Sequence, residues 1–261
     1  MLLLKSIKGG LLLCLIFSLY NAGTMVVSKK MHTTSFTPRK HQPPILCYHN
    51  IYVKPPQEDQ LWISVNHLEQ QLKMLRDSGY STVLPEDIYQ HFTSGIPLPQ
   101  KAVTITFDDG HAQHFSLVAP LLSKYGFKAV FFIPTAFIGK KYYLTEKEIR
   151  ILADSGHTIG CHTYDHPSLA SAKTDWNKQL DYSRQQLEKI TGQQVYYFAY
   201  PYGSWTDSAI SQLKARHFRA AFQLTGKPSS ADALFTLKRL MISGAWTPDE
   251  LMQKLKIIFP N

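Results

Sequence analysis

Cysteine is scarce in this chain. Three occur in 261 residues, and one of them, Cys14, lies in an apolar N-terminal run. Cys47 and Cys161 remain, and two cysteines exclude a disulfide-stapled scaffold. Each sits in an apolar run, where a small buried hydrophobe is the default; a bridge between them stays open. No G-x-G-x-x-G or P-loop follows a strand-like segment, so a nucleotide-binding fold has no support. No repeat of fixed period is visible, and no apolar run reaches the roughly 20 residues of a spanning helix.

Acidic residues are missing from the first 41 positions, where Lys5, Lys8, Lys29, Lys30, Arg39 and Lys40 stand unopposed. Most of the formal charge of +9 therefore belongs to the N-terminal arm. The rest of the chain carries 22 basic and 19 acidic residues. A body so nearly balanced does not point to nucleic acid.

The apolar fraction of 44%, with 14 Tyr and 14 Phe, is enough for a substantial core. Lys5 and Lys8 precede an apolar run, Leu11 to Tyr20, followed by "NAGT". That is the order of an export signal, with an ordinary buried helix as the competing reading. The expected organisation is a signal peptide or membrane anchor over 1–24, a basic linker over 25–41 and one catalytic domain over 42–261. The protein is then extracytoplasmic, with cell-envelope association through its N-terminal segment, and is expected to be a monomer.

From Pro43 onward, short apolar runs alternate with helical patterns. Strands are expected at Ile45–His49, Ser81–Leu84, Ala102–Phe107, Ala129–Ile133, Thr158–His162, Val195–Tyr200, Ala220–Leu224 and Leu237–Ser243. Helices are expected at Asn66–Asp77, Pro85–His91, Phe115–Lys124, Glu146–Asp154, Asp175–Thr191, Asp207–Ala215 and Pro248–Ile257. Asn66 with Glu69, and Thr145 with Glu148, have capping-box spacing, and Thr247-Pro248 places proline at a first helical position. Gly79, Gly126, Gly156 and Gly192 follow helical segments, where a left-handed cap favours glycine. Strand and helix alternating seven or eight times imply a parallel sheet covered by helices, best closed into an α/β barrel. Such barrels gather their chemistry at the carboxyl ends of strands, which is a test for every polar residue.

Asp108 and Asp109, in "TFDDG", pass that test. Two adjacent carboxylates cannot both stay charged cheaply unless a cation or proton intervenes; alone, the pair reads as well as a helix cap. In "TIGCHTYDHP", His162 and His166 lie four apart just past a strand. With a carboxylate from another strand end they complete the three-ligand set of a catalytic zinc, with a position left for water. "YYFAYPYGSW" can present a backbone N–H, such as that of Tyr202, to an oxyanion, or simply cap the barrel with aromatics. His49 ends the first strand and faces the same site if the barrel closes. His111 and His114 follow the Asp pair but are equally explained as polar residues opening a helix.

"TFDDG", "HTYDH" and "AYPYG", in this order, resemble the first three motifs of the polysaccharide deacetylases, carbohydrate esterase family four. The resemblance runs from about Pro43 to the C-terminus. It implies a distorted (β/α)7 barrel and metal-dependent removal of N-acetyl groups from β-linked N-acetylglucosamine polymers, or O-acetyl groups from other glycans. Carried over by position, Asp109, His162 and His166 hold one divalent ion, usually Zn2+. Asp108 is the base that deprotonates the metal-bound water, and the Tyr202 N–H helps hold the oxyanion. The chain departs from the family at two places. Ala199 stands where an arginine normally positions the catalytic Asp, and the last strand, "LKRLMISG", lacks the usual acid histidine.

Both departures resemble the sub-group of biofilm poly-β-1,6-N-acetylglucosamine deacetylases, in which the acid histidine comes from an early Tyr-His pair like Tyr48-His49. By that resemblance His49 is the general acid. Arg239 is a candidate substitute partner for Asp108, with pairing elsewhere still open. Peptidoglycan, chitin-type or acetyl-xylan substrates, and a glycan-binding domain without turnover, are the alternatives.

Overall fold

The computed structural model describes residues 41–54, 56–169 and 173–259. The export segment and nearly all of the linker expected from the sequence lie outside the described residues. In chain order the strands and helices are β1 (Ile45–Tyr48), β2 (Asn50–Tyr52), β3 (Trp62–Ser64), α1 (Val65–Asp77), β4 (Ser81–Thr82), α2 (Pro85–Ser94) and β5 (Ala102–Phe107). There follow α3 (Ala119–Tyr125), β6 (Val130–Ile133), α4 (Glu146–Asp154), β7 (Thr158–Cys161), α5 (Ser183–Thr191) and β8 (Tyr197–Ala199). The last are α6 (Asp207–Ala215), β9 (Ala220–Gln223), β10 (Leu237–Lys238), β11 (Leu240–Met241) and α7 (Pro248–Ile258).

Every strand pairing in the main sheet is parallel, in the order β10-β9-β8-β7-β6-β5-β1-β11. Since β10 and β11 are the two halves of one passage of chain, broken at Arg239, the sheet returns on itself. Lys238 is in register with Gln223 of β9, and Leu240 with Leu46 of β1. Seven passages thus close a (β/α)7 barrel. The strands bury both faces, as parallel strands under helices must: Ile45, Leu46, Val103, Ile105, Phe131, Phe132 and Phe198 have no exposure.

Several local expectations change. The last strand, expected as one run over Leu237–Ser243, is split because it changes neighbours at Arg239. The β2–β3 pair was not anticipated; three-residue strands carry too little alternation to read. α1 is capped by Ser64, whose side chain accepts from the His67 N–H, and not by Asn66. The helices expected at Phe115–Lys124 and Asp175–Thr191 each open with π-helical turns, His114–Val118 and Asn177–Tyr182. β4 pairs with the start of β5 outside the closed path. The capping boxes at Thr145 and Thr247 form, and Gly79, Gly126, Gly156 and Gly192 adopt positive φ.

Candidate active site

The strand-end residues converge. β5 ends at Phe107, so Asp108 and Asp109 leave the sheet where its carboxyl end meets solvent. Asp108 N–H still donates to Tyr48 O at 3.0 Å, continuing the β1–β5 ladder for one residue. Asp109 then turns to φ 73° and Gly110 to φ 66°. A left-handed aspartate is uncommon, and here it sends the two carboxylates to different neighbours. Asp108 is 1% exposed and points into the barrel; the Asp109 side chain is 27% exposed and faces the cleft.

Asp109 Oδ1 lies 3.7 Å from His162 Nε2 and 3.4 Å from His166 Nε2. One ligand atom from each residue falls within 4.8 Å of the others. Ligands about 2.0–2.1 Å from a tetrahedral zinc stand roughly 3.3 Å apart, so this set needs little adjustment to hold such an ion. Two of these residues are also held by hydrogen bonds. His162 Nδ1 is 2.7 Å from the Ala199 carbonyl, which fixes the proton on Nδ1 and turns the Nε2 lone pair to the cleft. His166, at φ 60°, donates its N–H to Thr163 Oγ1 at 3.0 Å. Ala199, where the family's arginine would stand, thus orients His162 through its backbone.

Arg239 supplies what Ala199 cannot. Its Nη1 and Nη2 donate to Asp108 Oδ1 and Oδ2, both at 2.7 Å, and its side chain is wholly buried. This is the planar two-point pairing that guanidinium makes with carboxylate. His49 joins from β1, with Nε2 3.9 Å from Asp108 Oδ2.

Burial alone would raise both carboxyls. At Asp108 the charges of Arg239 and His162 outweigh it and hold the group below the usual carboxylate range. At Asp109 the neighbouring His111, His162 and His49 do the same. Burial lowers His162 to about 4 and also lowers His49, despite the two carboxylates. The resting centre therefore holds two carboxylates, one guanidinium and the neutral imidazoles of His162 and His49, an arrangement suited to a divalent cation.

Three neighbours considered in the sequence were given no place in the site there. Cys47, expected as an inert core residue, directs its thiol at Asp108 Oδ2, 3.6 Å away, and lies 4.0 Å from His49 Nδ1. Neither Cys47 nor Cys161 is bridged. His111 Nε2 is 3.7 Å from Asp109 Oδ2, the oxygen turned away from the two histidines, and its ring stacks on Tyr143. His114 is fully buried, with Nε2 2.7 Å from the His49 carbonyl. His111 stands just past a strand end, as the strand-end test requires; Cys47 and His114 come to the site through the pairing of β1 with β5. Tyr202 adopts φ 58° with its side chain in solvent, and its ring meets that of His166 at 4.9 Å, so it edges the cleft instead of capping the core. Asp109, Phe137, Tyr143, Asp165, His166 and Tyr202 line a cavity of about 310 Å³.

A family model described as polysaccharide deacetylase matches residues 95–221, a span that includes all three motifs. Over that span the chain carries a polysaccharide deacetylase domain. Among proteins like this deacetylase, YxkH of Bacillus subtilis is 29% identical over 83% of this chain and 78% of its own length. The poly-beta-1,6-N-acetyl-D-glucosamine N-deacetylase of Escherichia coli K12 is 24% identical over 80% of this chain, which spans only 38% of that protein. The deacetylase PplD of Streptococcus pyogenes, solved with acetate, superposes with a TM-score of 0.76 at 27% identity, covering 83% of this chain and 99% of its own. This deacetylase is thus a hydrolase on a (β/α)7 barrel, as the motifs implied. Among the described residues no helix is long and apolar enough to cross a membrane.

Proposed function

We propose that the protein is a metal-dependent N-deacetylase of a β-linked N-acetylglucosamine polysaccharide, with the β-1,6-linked polymer favoured. The carrying observation is the Arg239–Asp108–His49 arrangement beside the Asp109–His162–His166 set. The base is held by an arginine from the last strand, and among the described residues the only histidine beside it outside the Asp109–His162–His166 set lies just past the first. The Escherichia coli relative, named for that polymer, supports the choice of substrate. A chitin-type β-1,4-linked glycan is the other outcome of the test.

Asp109, His162 and His166 would hold one divalent ion, and the imidazole-carboxylate donor set suits Zn2+. When bound, the ion would supply Lewis acidity, activating a water and polarising the acetyl carbonyl. Asp108, kept ionised by Arg239, accepts the proton of the attacking water. The water oxygen bonds to the acetyl carbon, and the Tyr202 N–H steadies the negative charge that develops on the carbonyl oxygen. His49 Nε2, neutral at rest and next to Asp108 Oδ2, takes up that proton and delivers it to the departing nitrogen. The C–N bond breaks, leaving acetate and the amine of glucosamine. The N-terminal segment, read as a signal or anchor ahead of a basic linker, would place this chemistry outside the cytoplasm.

The test is acetate release from β-1,6- and β-1,4-linked N-acetylglucosamine oligomers by zinc-loaded protein, with and without chelator. Faster release from the β-1,6 series, abolished by chelator, is the expected result. No release from any of these oligomers would overturn the reading.

A further inference from the structure

A second groove lies outside the barrel, between α4 and α5. Its cavity of about 480 Å³ is larger than that at the active site and in the range of small-ligand sites, roughly 300–1,000 Å³. The two cavities share a wall. In the short turn Thr135–Phe137 that follows β6, Thr135 lines the groove and Phe137 lines the active-site cavity. Tyr164, next to Asp165 of the active-site cavity, packs its ring 5.6 Å from Tyr182 of the groove. A polymer that crosses this turn from the metal-ligand cluster enters the groove.

The lining has unused hydrogen-bonding capacity. Thr135 Oγ1 and Gln186 Oε1 are shielded from solvent and have no hydrogen-bond partner. A buried polar atom left unpaired costs about 1–3 kcal/mol, so a side-chain turn that brings either atom to a ligand hydroxyl gains by that pairing. Tyr182 is half exposed, and Gln186 Nε2 donates to its hydroxyl at 3.2 Å, which steadies the ring. Glu146, Arg150 and Lys189 also line it, beside Ile138, Gln185 and Ile190. An aromatic ring, amide and hydroxyl groups and charges of both signs suit a neutral sugar. Its apolar face covers the ring, its hydroxyls pair with Gln186 and Glu146, and its acetamido oxygen accepts from Arg150 or Lys189.

We propose that this groove is an accessory glycan subsite, holding an N-acetylhexosamine unit of the same polysaccharide some units away from the one being deacetylated. The inference rests on the polysaccharide reading given above. A second attachment on one chain raises affinity through effective concentration, so long chains bind more tightly than short ones.

Calorimetric titration of the zinc-loaded full chain carrying Asp108→Asn, which keeps the oligomers intact, compares short and long β-1,6-linked N-acetylglucosamine oligomers. The long ones should bind on the order of tenfold more tightly, and adding either Tyr182→Ala or Arg150→Ala should remove most of that gain. The Tyr182 ring resonances should move on titration with the long oligomer. A length gain that survives both substitutions, no length gain, or equal loss for short and long oligomers would each overturn the subsite, as would an unmoved Tyr182 resonance. Failure of the substrate reading shows separately, as absence of acetate release by the unsubstituted zinc-loaded protein.

Discussion

Replacing Arg239 by leucine would expose how much of this site depends on one ion pair. The substitution keeps bulk but removes both hydrogen bonds to Asp108, a carboxylate with 1% exposure. Breaking a buried pair from one side costs about 3–5 kcal/mol, because the other charge is left uncompensated. Asp108 can avoid part of that by taking a proton. Its folded pKa, now below the usual value of 3.8, would rise above it, since burial raises the group and Arg239 is the foremost opposing influence. The sign of the pH dependence then reverses. In the unsubstituted protein the paired Asp108 contributes stability above the unfolded pKa, lost as pH falls through the lower folded value. In Arg239→Leu the unpaired carboxylate destabilises above its raised pKa, and acidification relieves it. Chemical denaturation at pH 7 and pH 5 should show the deficit of the variant shrinking toward pH 5. The acid limb of kcat/KM for acetate release should move to higher pH, because the base is protonated more readily. The double variant Asp108→Asn, Arg239→Leu should recover most of the stability lost by the single one. A single variant that loses under about 1 kcal/mol and keeps the acid limb would refute the reasoning.

Removing the ligand set gives a simpler outcome: His162→Ala and His166→Ala should each abolish zinc retention and acetate release, and zinc should raise the unfolding temperature of the unsubstituted protein but not of these. His49→Ala should retain zinc while kcat falls on the order of 10²–10⁴-fold; retained turnover would remove His49 as the acid. Gly203→Ala should destabilise strongly, since a Cβ there would lie 2.2 Å from Leu224 Cβ at a φ of 67°, and the displaced Tyr202 would weaken activity too. Global stability should fall between pH 7 and pH 5, because burial lowers His114 to about 3 and His157 to about 4. The unfolded chain then binds more protons in that window, on the order of 2 kcal/mol per histidine, which denaturation curves at the two pH values would measure.

What the sequence alone determined is local and chemical. Runs such as Ala102–Phe107 and Glu146–Asp154 carry their own period, and the caps at Thr145 and Thr247 act over three residues, so element type and place follow from short-range sterics and hydrogen bonding. The Asp108–Asp109 pair and the two histidines at 162 and 166 announce their chemistry by residue type and by standing just past a strand. Ser64 taking the cap from Asn66, and the π-helical openings at His114 and Asn177, lie within the margin that packing controls. Which residues complete the site was decided by the tertiary structure. Arg239 lies 131 positions from Asp108, and no periodicity links them. They meet because the last strand splits between β9 and β1, closing the sheet and turning a guanidinium inward beneath a carboxylate that burial would otherwise neutralise. The pairing of β1 with β5 brings Cys47 of the first strand, and His49 just past it, to that carboxylate. It is closure of the barrel that turns separate strand ends into one site.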